Sequence, residues 1–92
     1  MAYDAFFDRV FYRPAMAHYR AKEYSAAERD FRWYLFFEND SDAHFYLGRT
    51  YLDEGKRNRA RAQFLKDLSP HGGGRSEYFR LNRRSVEQLQ RL

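Results

Sequence analysis

Apolar residues recur along this chain at intervals of three and four positions, which is the spacing of helices that bury one face. The pattern predicts an all-α chain with helices at 2–22, 25–38, 41–54, 58–69 and 76–91. Pro14 falls inside the first of these, and a proline within a helix removes a hydrogen bond and clashes with the preceding turn. We expect a kink or a fresh helix start there, with Arg13 extended or strained before it.

Two local features bear on the second helix. Ser25 and Glu28 have the spacing of a capping box, in which each side chain satisfies a backbone N–H at the helix start. The aromatic run 32–37 favours β structure by composition. Because the run lies within a repeated helical pattern, we expect it to be helical as well.

The chain repeats itself after 33 positions. The shift superimposes small residues on small residues and large apolar residues on large apolar residues, so it predicts two similar helical hairpins. The matched pairs are Ala15 with Gly48, Tyr19 with Leu52, Lys22 with Gly55, Ser25 with Asn58, Ala27 with Ala60, Phe31 with Phe64, and Leu35 with Leu68.

The second copy resembles the tetratricopeptide repeat over 47–64, through Leu47, Gly48, Tyr51, Ala60 and Phe64. Small residues at two of these positions would let antiparallel helices approach closely, with rings filling the gaps between them. The resemblance implies a short stack of helical hairpins in one domain over 1–92. Repeat 1 would cover about 8–40, repeat 2 about 41–74, and a terminal capping helix about 75–92.

In that family, the first helix of each pair lines a groove that binds a partner. The resemblance therefore implies an aromatic groove, edged by arginine, for an amphipathic helix or an extended peptide with acidic flanks. The alternative is that so short a stack closes on itself, which would make Phe45 and Phe79 core residues. The matching positions are Tyr12, Met16, Tyr19, Arg20, Phe45, Arg49, Leu52, Asp53, Phe79, Arg80, Arg83 and Val86.

Other aromatic residues lie outside this groove. Trp33 falls on the outer side of its helix, where it would be either an exposed anchor or a cover for the N-terminal helix. An N-terminal apolar cluster would either cap the first hairpin or form a second interface, and large apolar edges also allow a homo-oligomer. That cluster is Phe6, Phe7, Val10 and Phe11.

Arginine dominates the charge of the chain, supplying 14 of its 17 basic residues, and the formal net charge is +4. Since arginine pairs well with carboxylates and phosphates, an acidic partner is expected. The competing function is Arg-driven binding of nucleic acid or another polyanion, supported by Tyr78 and Phe79 among the arginines near the last helix. The 13 acidic residues spread along the chain argue against it.

No catalytic motif stands out. The chain has no cysteine, and His18, His44 and His71 lack the spacing of a metal site, so we expect neither an enzyme nor a cofactor. The loop 72–74 lacks the residues of a phosphate-binding motif. No apolar stretch approaches the roughly 20 residues of a membrane span. Two compartments remain open. They are the cytoplasm and, if a leader peptide has been removed, a compartment of the bacterial envelope.

Overall fold

Helices and short turns account for residues 6–68 and 83–92, the part of the chain that this computed structural model describes. The all-α prediction is confirmed for these residues, among which no strand occurs, and the aromatic run 32–37 is helical. The predicted start of the last helix lies outside them. In chain order the elements are a π-helical segment Asp8–Tyr12, α1 Arg13–Arg20, α2 Tyr24–Phe37, α3 Ser41–Asp53, α4 Arg57–Leu68 and α5 Arg83–Arg91.

The helical turn before Pro14 is wider than an α-helical turn. Pro14 lies in the first turn of α1, where a missing N–H is tolerated, and the preceding π-helix ends with a bond from the Arg13 N–H to the Asp8 carbonyl. The predicted change of helix at Pro14 is confirmed. The expectation of an extended Arg13 is wrong, because its φ of −64° and ψ of −43° are helical. The π turn relieves the clash that an ordinary α-helical turn would have with the proline ring.

The same turn closes α1 and α3. After α1, the N–H of Lys22 donates to the Tyr19 carbonyl and the next N–H donates to the His18 carbonyl. After α3, the corresponding bonds begin at Gly55 and its successor. Both turns are Schellman motifs, which need a left-handed residue, and Lys22 at φ 63° and Gly55 at φ 81° supply it. The two copies of the 33-residue repeat therefore share a backbone turn as well as a pattern of side chains.

The helix starts differ from one another. The capping box predicted at Ser25 and Glu28 is wrong, because α2 begins one residue earlier, and its N-cap, Glu23, makes no side-chain capping bond. The tight Schellman turn places Glu23 directly after the left-handed residue, which moves the helix start upstream of Ser25. At α3, by contrast, the Asp40 carboxylate accepts a bond from the Asp42 N–H at 2.8 Å.

Each helix packs mainly on its neighbours in the sequence, which forms antiparallel hairpins. His44 near the start of α3, for example, hydrogen-bonds Gln63 in the middle of α4 at 2.8 Å. The two hairpins bury matched residues, and at Gly48 a Cβ would lie only 2.7 Å from Cε1 of Phe64. The matched buried pairs are Ala15 and Gly48, Ala27 and Ala60, and Phe31 and Phe64.

A buried carboxylate fastens α5 to the second hairpin. Asp67 of α4 has no exposed surface and accepts hydrogen bonds from the hydroxyls of Ser41 and Ser85, the latter at 2.5 Å. Arg84 lies 3.4 Å from the same carboxylate and donates to Asp42 at 2.6 Å. The N-terminal part of α5 is therefore held by polar contacts, whereas the two hairpins share an apolar core.

Candidate functional site

Six aromatic rings form a continuous face on the outer side of the first hairpin. The ring of Phe7 stacks on that of Phe37 with centroids 4.5 Å apart, and Phe11 stacks on Trp33 at 6.2 Å. These contacts join the N-terminal helical segment to α2. The aromatic face consists of Phe6, Phe7, Phe11, Trp33, Phe36 and Phe37, each in contact with at least one other ring.

Much of the aromatic face is open to solvent. Phe36 is 76% exposed and Trp33 is 52% exposed, although both lie in a well-packed helix. The N-terminal cluster is divided: Phe7 and Phe11 pack against the core, while Phe6 and Val10 remain exposed. The two alternatives for Trp33 are thus combined, since it covers Phe11 and still presents half of its surface. Large exposed apolar patches on small proteins commonly mark interaction sites.

A surface groove of about 640 Å³ borders the aromatic face. Its lining residues lie three, four, seven, eight and eleven positions after the first, so all of them lie along one side of α2. We call this the α2 groove. It is lined by Ser25, Glu28, Arg29, Arg32, Trp33 and Phe36.

Two arginines stand at the rim of the α2 groove with most of their side chains exposed. Arg29 donates from Nε to Asp30 at 3.0 Å, and Arg32 donates from Nη1 to Glu28 at 3.5 Å. A guanidinium has five N–H donors, so each side chain retains capacity for a further acceptor. The open edge of the groove is therefore basic.

Glu28, in the floor of the α2 groove, also belongs to a cluster that joins the hairpins. Lys56 donates from Nζ to Glu28 Oε1 at 3.1 Å and lies 3.6 Å from Glu54 Oε1. Burial raises the pKa of Glu28, but the hydrogen bonds with Lys56 and Glu54 and the positive charges of Lys56 and Arg32 together outweigh it, so the net pKa is lowered. Burial, followed by the hydrogen bond with Glu28, raises the pKa of Glu54. The charge of Glu28 is thus offset within the protein.

Two members of the groove predicted from the repeat resemblance are buried. Met16 and Phe45 are buried in the core, and Phe45 lies between the Phe64 ring and the Arg84 guanidinium, which is 4.6 Å from its centroid. Phe45 is thus a core residue, as the alternative expects of it, and the closing of the whole stack stays a prediction. Because they are only 9% and 8% exposed, Met16 and Phe45 offer almost no surface to a partner.

The aromatic members of that predicted groove are half-buried. Tyr12 packs against Phe31 and Tyr34, and burial, together with nearby carboxylates led by that of Asp42, raises the pKa of Tyr12 to about 12. Tyr19 contacts Tyr46, and burial raises its pKa as well.

The other members of that predicted groove vary in exposure. Arg49, Leu52 and Val86 are half-buried, whereas Arg20, Asp53 and Arg83 are exposed. Phe79 and Arg80 lie outside the described residues, as do Tyr78 and His71. Partner binding at the accessible positions stays a prediction.

The two described histidines have structural contacts. His18 approaches Glu23 at 2.7 Å and Asp30 at 3.7 Å, and His44 pairs with Gln63. Within 6–68 and 83–92, no group of His, Asp and Glu has the arrangement of a metal site. In the same part of the chain, no helix has both the length and the apolar character needed to cross a membrane.

Comparisons with protein-family models, with curated proteins and with solved structures find no match for this chain. The function must therefore be argued from the residues themselves. Sequence reasoning missed Arg29, Arg32, Phe36 and Phe37 as surface residues. The repeat contained a usable signal, because Phe36 and Phe37 align with Ser69 and Pro70, and positions that differ between repeats are not required by the shared core.

Proposed function

We propose that this protein is a binding module without catalytic activity that holds another protein, as an adaptor, scaffold or chaperone-like subunit. The observation that carries the proposal is the aromatic face, whose most exposed member, Phe36, has 76% of its surface in solvent. Burying apolar surface releases about 25 cal/mol per Å². Exposed rings therefore offer affinity to a partner, and aromatic residues are frequent energetic anchors in protein interfaces.

The repeat pattern supports the same function. The buried pairs recur 33 residues apart, and the span 47–64 resembles the tetratricopeptide repeat, whose stacks bind helices and peptides. In such a stack the shared positions build the hairpins and the remaining surface is free to differ. The outer positions of the first hairpin carry rings and arginines.

The arginines favour a protein partner over a nucleic acid. Arg13, Arg29, Arg32 and Arg84 each lie within 3.5 Å of a carboxylate oxygen of the same chain. Of these four, Arg29 and Arg32 line the α2 groove together, and two guanidiniums beside aromatic rings suit a short acidic segment of a protein. A phosphate backbone is instead held by many basic contacts along one surface.

A peptide selection tests this function. Random peptides displayed on phage would be selected on the wild-type protein, and the recovered peptides would be titrated against Phe36→Ser. We expect micromolar binding and a loss of about tenfold or more in the variant, because an anchor ring is removed. The matched control is Leu65→Ser on α4, since Leu65 is 51% exposed and lies outside the aromatic face.

Light scattering across a wide concentration range separates binding of a different protein from self-assembly. A constant monomer mass together with peptide binding that depends on Phe36 supports the module. A mass that rises with concentration, and that Phe36→Ser returns to the monomer, would show a self-assembling subunit. Failure to recover any peptide whose binding depends on Phe36 would overturn the proposal.

A further inference from the structure

We infer that the α2 groove binds an acidic amphipathic helix from a partner protein, an inference that rests on the proposed function and specifies its site. The groove follows one side of α2 across residues 25–36, a span of about 17 Å at 1.5 Å per residue. A partner helix of about three turns has the same length. Helices that bind in grooves use apolar anchors at spacings of three and four residues, and the rings of α2 have that spacing.

The apolar end of the α2 groove offers aromatic surface to an apolar side chain of a partner. Trp33 and Phe36 meet edge to face with centroids 6.2 Å apart, so their faces point in different directions. Phe36 also meets Phe37 edge to face at 5.1 Å, and Trp33 rests on Phe11. Contacts with these neighbours restrict the rings, so they lose less side-chain entropy when a leucine or phenylalanine of the partner packs against them.

The other part of the α2 groove selects charge. The side chains of Arg29 and Arg32 are 62% and 63% exposed, and the bonds given for them use one nitrogen each. The carboxylates that they contact, those of Asp30 and Glu28, are only 11% and 13% exposed, so the accessible charge at the rim is positive. Carboxylates along a partner helix, one turn from its apolar anchors, would accept bidentate bonds from these guanidiniums.

The groove suits a protein helix better than a lipid surface. A membrane-binding face presents apolar residues on a protruding surface, whereas here a carboxylate, that of Glu28, lines the recess beside the rings. A lipid phosphate would meet that carboxylate, while a helix can place a polar or small residue opposite it.

Trp33 is the only tryptophan in the chain, so its fluorescence reports on the α2 groove directly. Two synthetic helical peptides of about four turns would share one leucine stripe at spacings of three and four residues, with Glu at the remaining positions of one and Lys in the other. Each would be titrated at low salt. Vesicles of anionic phosphatidylglycerol would be a third probe.

We expect the Glu peptide to shift Trp33 emission and to bind at least about tenfold more tightly than the Lys peptide. The double variant Arg29→Glu/Arg32→Glu should reverse that preference, with far-UV circular dichroism unchanged. The matched control is Arg59→Glu/Arg61→Glu, which makes the same change in net charge at two exposed arginines of α4 that do not line the groove, and it should retain the preference.

The other outcomes separate the inference from the proposed function. Equal binding of both peptides would overturn the acidic partner and leave the protein-binding function standing. A preference that survives the double variant would place the charge selection elsewhere on the molecule. A response to vesicles alone, with no peptide binding, would overturn the inference in favour of a lipid surface and would count against the proposed function as well.

Discussion

The two hairpins share an interior and differ at their outer surfaces. Both bury a small residue and a phenylalanine at equivalent positions, Ala27 with Phe31 and Ala60 with Phe64, and both first helices end in a Schellman turn. Repeated positions are therefore those that helix pairing requires. A residue found at only one of two equivalent positions needs another explanation.

The outer side of α2 provides such residues. In the sequence, Trp33 aligns with Lys66 and Phe36 aligns with Ser69, so the second hairpin forms without rings at these positions. The hairpin fold itself therefore does not require these rings. Trp33 packs on Phe11 of the N-terminal segment, whereas Phe36 is 76% exposed, and its presence on the first hairpin alone supports the proposed binding site.

One interior position also differs between the two hairpins, and its substitution should have the largest effect on stability. Asp67 occupies the place that Tyr34 has in the first hairpin. Asp67→Ala should destabilise the protein by about 2–4 kcal/mol, since it leaves the Ser41 and Ser85 hydroxyls and Arg84 without a common acceptor. Hydrogen exchange should show lost protection in Arg83–Arg91, with the first hairpin still protected.

A control for this change lies in the same cluster. Asp42 also pairs with Arg84, at 2.6 Å, but its side chain is largely exposed. Asp42→Ala should cost only about 0–1 kcal/mol, as exposed ion pairs do. If α5 kept its protection in Asp67→Ala, the buried carboxylate would not be what fastens the last helix, and the interior difference between the hairpins would have no structural consequence.

The sequence predicted what the hairpins share better than what distinguishes them. Helix positions, the change at Pro14 and the match of Lys22 with Gly55 followed from periodicity and from repetition, which depend on local geometry. The π-helical turn and the start of α2 could not be predicted in this way, because they depend on which neighbouring backbone groups pair in hydrogen bonds. The family resemblance directed attention to Phe45, which tertiary packing has placed in the core.

The candidate site was harder to predict for a physical reason. Helical spacing places Trp33 and Phe36 on the outer side of α2, but it does not say whether another segment covers them. Coverage depends on how the N-terminal segment meets α2, which the structure resolves through the stacking of Phe7 on Phe37. Likewise, the pairing of Glu28 with Lys56 joins residues 28 positions apart, beyond the reach of local patterns.

Replacing the small residue of the second hairpin by its equivalent from the first should have an intermediate effect on stability. Gly48→Ala gives the second hairpin the residue that the first has at Ala15, yet its Cβ would lie 2.7 Å from the Phe64 ring. We expect a loss of about 1–3 kcal/mol in the free energy of unfolding, measured with denaturant, although alanine favours helices by about 1 kcal/mol.

The ring should be the cause of that loss, and a double variant tests it. Gly48→Ala combined with Phe64→Leu should cost less than the sum of the two single changes, because the smaller side chain leaves room for the methyl group. Additive costs would show that the close approach of α3 and α4 does not depend on Phe64. The two hairpins would then differ in how their helices pack.

The Schellman turns should give the smallest effect and the sharpest comparison, because the same left-handed conformation is held by Lys22 in one hairpin and Gly55 in the other. Lys22→Gly should stabilise the protein by about 0.5–1 kcal/mol, since glycine adopts a positive φ without a steric penalty, and Gly55→Ala should destabilise it by a similar amount. Denaturant unfolding measures both.

Lys22→Ala is the control, because it removes the ammonium group and keeps the strained φ, so its stability should stay close to that of the wild type. If Lys22→Ala stabilised the protein as much as Lys22→Gly, the penalty at this turn would come from charge and not from backbone conformation, and the two turns would be equivalent in shape but not in energetics.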